Sequence, residues 1–312
     1  MPFHPQVQAI RDRLERDQVP NLYTLSIEDA READVKGTVA GAGNKVAVAD
    51  VSEREIPGPA GPLRIRVYQP DAPGPWPVLV YFFGGGWSLG TLDTSDDVCR
   101  RLTSAAGCLT VSVSYRLAPE NKFPAAVEDA YAGAAWVAAH AAELGADPSR
   151  IAVAGDSSGG NLTIAVTLLA RQRGGPRLVH QLLVYPNTDY QSDTDSMREC
   201  RDEHFFNPNA VQWYWGMYLA TPDDGANPLA SPLREADLSG LPPATLISAE
   251  FDPLRDEGER YAARLAEAGV PVEVRRYDGV PHAFFTMTGF VDAAGQAMEY
   301  AAARLRAAFT AA

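Results

Sequence analysis

The run Ile151-Ala152-Val153-Ala154-Gly155-Asp156-Ser157-Ser158-Gly159-Gly160-Asn161 narrows the possible folds more than any other stretch of this chain. Its apolar start reads as a short buried strand, its middle as Gly-x-Ser-x-Gly, and a helix is expected to begin near Gly159. Glycines on both sides of Ser157 permit a sharp, strained turn. Such a turn lifts the hydroxyl clear of a sheet edge and points the positive end of the next helix at whatever the serine attacks. Gly86-Trp87-Ser88-Leu89-Gly90 matches the same pattern after a strand at Val78–Phe83. There, however, Gly84 and Gly85 intervene and no helix is expected before Ser95. Ser88 is therefore read as a loop residue and Ser157 as the candidate nucleophile.

Other apolar runs set the architecture: Val78–Phe83, Leu109–Val113, Leu182–Tyr185, Thr245–Ser248 and Val272–Arg275. Helical stretches such as Ala126–Ala142, Leu162–Arg171 and Gly258–Ala268 fill most of the intervals. Continuously apolar strands alternating with helices predict an α/β fold. Its central sheet is mostly parallel, with helices on both faces and functional loops at the carboxyl ends of the strands. Before them, Leu63, Ile65 and Val67 alternate with Arg64, Arg66 and Tyr68, the period of a half-exposed antiparallel strand. Its expected partner is Ala47–Ile56, across the turn Pro57–Gly61.

Two regions fall outside that alternation. Val7, Ile10 and Leu14 predict an amphipathic helix over 6–19. Ser26 and Asp29 have the spacing of a capping box for a second, polar helix, and 37–46 reads as a Gly/Ala linker. Residues 1–46 carry too few large apolar side chains to fold alone and read as a peripheral layer on the domain that begins at 47. Residues 187–225 are too long for a crossover loop and carry Phe205, Phe206, Trp213, Tyr214, Trp215, Met217 and Tyr218. They read as a cap insertion, with one aromatic face in the core and another available to a ligand.

The chain has 312 residues, 46% of them hydrophobic, enough for one large α/β domain with a cap. A net charge of −13 argues against nucleic acid or an anionic membrane as partner. Cys99, Cys108 and Cys200 form no Cys-x-x-Cys and are expected to be free, mostly buried thiols. No secretory signal is visible, and no window approaches about 18 apolar residues. A cytoplasmic protein is expected. Asp189, Asp193 and Asp195 lack the glycine and glutamate of a calcium loop, and no metal is expected.

A serine hydroxyl needs a base to take its proton, and the base needs an orienting acid. Among the histidines, His4 and His140 precede the serine, His180 begins a strand and His204 lies in the cap. His282 follows a strand, at the edge where active-site loops gather, and is the chosen base. Asp252, at the tip of the strand Thr245–Glu250, is the chosen acid. Asp256 falls inside the next helix, where it and Glu257 read as helix N-terminal charge, and Asp278 shares a loop with His282. Gly84-Gly85-Gly86, directly after a strand, leaves backbone N–H groups open to a developing oxyanion, and Ser158 supplies another. A phosphate-binding loop is not indicated, because no Gly-Lys-Ser/Thr follows.

Read together, several blocks give a resemblance: Tyr81-Phe82-Phe83-Gly84-Gly85-Gly86-Trp87, Tyr115-Arg116-Leu117-Ala118-Pro119-Glu120, Phe123–Ala130, Gly155–Asn161, Asp252-Pro253-Leu254-Arg255-Asp256-Glu257 and His282-Ala283-Phe284. Over roughly residues 50–310 the chain resembles the hormone-sensitive-lipase-type carboxylesterases of the α/β-hydrolases. The resemblance implies Ser157, His282 and Asp252 as catalytic triad and Gly85, Gly86 and Ser158 as oxyanion donors. It further implies N-terminal cap helices over 1–46 and a cap insertion at about 187–225 on a catalytic domain spanning 47–312, a small-molecule ester substrate, no cofactor and, in many members, a homodimer. Phe83, Trp87, Phe206 and Trp213 are the candidate substrate contacts. Three positions depart from the pattern. Phe83 stands where a histidine that braces the oxyanion loop is usual, Ser158 where alanine is usual, and Ala283 where glycine is usual. The leading expectation is a serine esterase for small to medium, uncharged acyl esters. The alternatives are an amidase or specialised acyl hydrolase using the same triad, or a non-catalytic small-molecule receptor on the same scaffold.

Overall fold

A computed structural model describes residues 2–312. Two helices lead, α1 (Pro5–Arg16) and α2 (Ile27–Gly41), the second capped by the Ser26 side chain. The glycines expected to form a linker therefore begin inside α2. Gly37 and Gly41 are helical because nothing at their positions demands an open backbone. A hairpin follows, β1 (Asp50–Gly58) and β2 (Gly61–Gln69), then β3 (Trp76–Phe82), α3 (Asp96–Ala106), β4 (Leu109–Val113) and α4 (Ala125–Ala139). The remainder alternates through β5 (Ala146–Asp156), α5 (Ser158–Arg173) and β6 (His180–Val184). A long excursion carrying α6 (Asp195–Glu199) and α7 (Pro208–Tyr218) precedes β7 (Ala244–Phe251), α8 (Arg255–Glu267), β8 (Val272–Pro281) and α9 (Asp292–Ala311).

The strands form a single sheet in the order β1-β2-β4-β3-β5-β6-β7-β8. Only the β1–β2 and β2–β4 pairings are antiparallel; from β4 to β8 every pairing is parallel. Strand β3 explains the uninterrupted apolar runs. Its Val78, Val80 and Phe82 enter the core shared with α4 and α5, whereas Leu79 and Tyr81 enter the opposite core, shared with α3 and α9. A strand covered on both faces has no side for polar residues. The terminal helix α9 was not expected from the sequence. It packs through Ala294, Ala297, Ala301 and Ala302, small residues whose periodicity contrasts weakly with its alanine-rich outer face.

Edges differ from centres. On β8, at the end of the sheet, residues 273–276 are exposed. The excursion between β6 and β7 spans residues 185–243 and contains the 187–225 stretch. Cys99, Cys108 and Cys200 are free and buried. Among the described residues no helix is long and apolar enough to cross a membrane, and no group of three or more His, Cys, Asp or Glu could hold a metal ion.

Candidate active site

Ser157 sits between the last residue of β5 and the first of α5, with φ 56° and ψ −121°, a conformation a non-glycine residue occupies only under local constraint. Its neighbours explain how. A Cβ on Gly155 would strike the Gly159 carbonyl, and one on Gly159 would strike the main chain of Phe82. Both flanking glycines therefore let α5 start hard against β5 and β3. The Ser157 N–H donates to Val184 O at 2.8 Å, tying the turn to β6.

Ser157, His282 and Asp252 are drawn into one hydrogen-bonded line. His282 Nε2 lies 2.9 Å from Ser157 Oγ, and its Nδ1 lies 2.7 Å from Asp252 Oδ2. Asp252 is fully buried and its other oxygen accepts from Leu254 N–H at 2.8 Å. Its carboxylate thus has its lone pairs engaged at a strand tip rather than facing water. Strand β8 continues to Pro281, so His282 follows the strand directly and not through the loop expected from the sequence. The imidazole is packed between rings: Phe206 stacks on it at 4.2 Å and Tyr185 lies at 4.5 Å. Asp256, the rival acid, instead accepts from Ser196 N–H at 2.8 Å.

Gly85 and Gly86 adopt φ of 117° and 57°, values that exclude most side chains. A Cβ on Gly86 would overlap the Tyr214 ring of α7. Gly84 N–H donates to Asp156 Oδ1 at 3.0 Å, and the Tyr81 hydroxyl donates to the same oxygen at 2.7 Å. Burial pushes the Asp156 carboxyl up, with those two donors pulling it back. Ser158 is buried in the first turn of α5, where main-chain N–H groups lack intrahelical acceptors. Phe83, in the position of the missing histidine, stacks on Tyr115 at 4.5 Å, and the Tyr115 hydroxyl donates to Phe83 O at 2.8 Å. Packing and a tyrosine hydroxyl thus hold this end of the loop.

A cavity of about 460 Å³ opens over Ser157 and His282. Phe83, Gly84, Gly85 and Gly86 form its floor, while α1, α2 and the Phe206–Tyr214 segment supply the facing wall. Two of the expected substrate contacts lie elsewhere. Trp87 is fully buried, stacked on Tyr218 at 4.1 Å, because its backbone turns away from the cavity with the loop. Trp213 is part-buried against Tyr214 and does not border the cavity. Ser88 is a buried turn residue. A second cleft of about 710 Å³ beneath α2 is lined by paired charges, among them Glu53–Arg66 and Asp96–Arg100, and is not bordered by Ser157 or His282.

The profile of the alpha/beta hydrolase fold matches residues 79–286. Carboxylic ester hydrolase LipN of Mycobacterium tuberculosis is 46% identical over 244 residues, which cover 76% of this chain and 65% of that protein. Esterase LipI of the same organism is 43% identical, with 82% of this chain and 81% of that protein aligned. Among solved structures, the hyperthermophilic esterase of the archaeon Pyrobaculum calidifontis superposes with a TM-score of 0.94 at 41% identity, covering 98% of this chain and 99% of that one. The chain belongs to the hormone-sensitive-lipase-type carboxylesterases.

Two acidic residues of this carboxylesterase were overlooked or misread in the sequence. Asp34 of α2 lines the cavity and accepts from Gly90 N–H at 3.1 Å; burial pushes its carboxyl up to about 6. Nothing local marks it, since it is one acid in a polar helix. Glu257 reads as helix N-terminal charge but is fully buried, accepting from Thr188 N–H at 2.7 Å and Asp189 N–H at 3.3 Å, with its carboxyl pushed up to about 8 by burial. The available signal was its place immediately after Asp252-Pro253-Leu254-Arg255-Asp256, too close to the site to be free in solvent. Asp193 and Asp195 are exposed and pair with Arg198 at the surface, while Asp189 is less exposed and pairs with Arg234.

Proposed function

We propose that this carboxylesterase hydrolyses small to medium, uncharged acyl esters through a Ser157 acyl-enzyme. His282 Nε2 takes the Ser157 proton as Oγ adds to the ester carbonyl, and Asp252 holds the imidazole in the required tautomer and steadies the imidazolium. The tetrahedral oxyanion forms against the N–H groups of Gly85, Gly86 and Ser158. Collapse expels the alcohol, which leaves with the proton from His282. Water, activated by the same imidazole, then attacks the acyl-enzyme and releases the acid and Ser157. No step calls for a metal or cofactor.

The observation that carries this reading is the continuous Ser157–His282–Asp252 hydrogen-bonded line at 2.9 and 2.7 Å, with Ser157 and His282 bordering the cavity. Supporting it, residues 1–46 and the excursion after β6 act as the cap, with Phe83 and Phe206 bordering the acyl or alcohol group. A cavity of about 460 Å³ suits a compact ester better than a long acyl chain. Chromogenic esters with acyl chains from acetyl to dodecanoyl test this directly. Wild type is expected to turn over the short members best, and Ser157→Ala to lose on the order of 10⁴-fold or more in kcat. Equal rates for the two proteins would sink the reading.

A further inference from the structure

The glycine loop after β3 is a folded-back strap. Gly85 O accepts from Ser88 N–H at 3.1 Å and from Leu89 N–H at 2.8 Å. A Cβ on Gly90 would strike Gly84 O, and one on Gly85 would strike Leu89 O. Its two limbs, Gly84–Gly86 and Ser88–Gly90, are therefore in contact, and displacement of one displaces the other. The first limb is anchored on the body of the protein through Asp156 and Tyr115. The second is anchored on α2. There Arg31 Nε donates to Ser88 O at 2.9 Å, and Asp34 Oδ2 accepts from Gly90 N–H at 3.1 Å. Arg31 also donates to Ala118 O at 3.0 Å, and Ala118 N–H donates to Trp87 O at 2.9 Å, closing the strap from its other side. Residues three apart share one helix face, so α2 presents one donor and one acceptor to successive polar groups of the loop.

Elsewhere α2 is held by Ala30 and Ile27 against the core and by Gly41 O, which accepts from Gly289 N–H at 3.0 Å. Ala30 and Gly41 are its only buried residues, so its inward face holds the loop through polar contacts more than through apolar packing. We propose that Asp34 and Arg31 are positioning residues: through the Ser88–Gly90 limb, α2 sets the Gly85 and Gly86 N–H groups where a developing oxyanion needs them. This rests on the esterase reading above. In consequence the N-terminal cap helix is a working part of the catalytic centre and not only a cover over it. A donor displaced by a fraction of an ångström still faces a neutral carbonyl well enough for binding, but loses the stronger contact to the oxyanion, so the cost falls on kcat.

The test compares Asp34→Ala, which removes the acceptor, with Asp34→Asn, which keeps a carbonyl oxygen at the same place. On an acetyl ester, Asp34→Ala is expected to lower kcat about tenfold or more with KM within about twofold. Asp34→Asn is expected to return kcat to within about threefold of wild type. Amide hydrogen exchange across residues 85–90 gives a readout that needs no turnover: faster in Asp34→Ala, near wild type in Asp34→Asn. Unchanged exchange in Asp34→Ala overturns the proposal whether or not the protein hydrolyses the ester. So does a fall in kcat shared equally by both variants and matched by a fall in melting temperature, which would mark Asp34 as a fold-stabilising residue only. Wild type no faster than Ser157→Ala, with exchange behaving as expected, would instead count against the esterase reading.

Discussion

Ser157, Asp252 and His282 stand at the carboxyl ends of β5, β7 and β8 in one parallel sheet, whereas the Gly84–Gly90 loop hangs from side chains sent by α2, the end of β5, the segment after β4 and α7. The first group inherits its geometry from strand registers and from a turn in which two glycines let helix and strand touch. The second owes its geometry to contacts between segments far apart in sequence, several of them in the cap. Strand ends in a parallel sheet are fixed by the main-chain ladder and tolerate change around them. A strap of glycines has little shape of its own and takes the shape its surroundings impose. The proposed site can therefore be rigid on its nucleophile side, at Ser157, and adjustable on its anion side, at the glycine loop.

Gly86→Ala puts the largest load on that contrast. The new methyl would overlap the Tyr214 ring, and φ of 57° is unfavourable for alanine. Either the ring retreats or the loop does. If the anion side is as dependent on its surroundings as argued, kcat falls by about 10²-fold or more while the melting temperature moves by only a few degrees. Steady-state kinetics and calorimetry on the same preparation check it. A Gly86→Ala enzyme with wild-type kcat would mean that the loop is stiffer than its anchors and the comparison is wrong.

The same contrast explains what the sequence disclosed. The nucleophile turn was legible because everything that shapes it, from Ile151 to Asn161, is contiguous. Asp252 and His282 were legible because chain order and strand ends constrain where an acid and a base can stand, even though the strand before His282 proved longer than its apolar part. Residues Asp34 and Arg31 were not, since their partners lie 56 and 57 positions away and neither shows a local pattern. Trp87 was misplaced for a related reason: adjacency to the glycines gave its position, but its φ of 58° turns the side chain into the core. Trp213 shared the spacing of the cap helix, and only packing could decide which stripe of that helix met the cavity.

A smaller effect is expected beneath the nucleophile. Glu257 accepts from the main chain at Thr188 and Asp189, next to Asn187, whose N–H reaches Ser157 O at 3.4 Å. Burial raises its carboxyl from 4.5 to about 8. The folded protein then holds a proton that the unfolded chain has released, so the stabilisation is full below about 4.5 and is lost as pH rises through about 8. Glu257→Gln has no proton to lose. Between pH 5 and 8, the wild-type melting temperature is expected to fall relative to the variant's by about 3 °C or more, the other titrating groups being common to both. Parallel pH profiles for the two proteins would show that Glu257 is ionised when folded, and that the support under Ser157 is a charged strut and not a neutral one.

The smallest effect concerns the corner after His282. Ala283 has φ of 65° and ψ of 6°, the left-handed region, where alanine costs about 1–2 kcal/mol. The family pattern that the chain resembles implies glycine there. Glycine removes that strain but adds about 0.5–1 kcal/mol of unfolded-state entropy. The difference favours Ala283→Gly by about 0.5 kcal/mol, a rise of roughly 1 °C in melting temperature. Because β8 runs straight into His282 and Asp252 and Phe206 hold the ring, kcat is expected to stay within about twofold of wild type. That pairing of outcomes discriminates. A gain in stability with unchanged turnover fits a histidine placed by its strand and its ring contacts. A drop in kcat would mean that the strained turn itself presses His282 toward Ser157, and that the nucleophile side, too, depends on a loop.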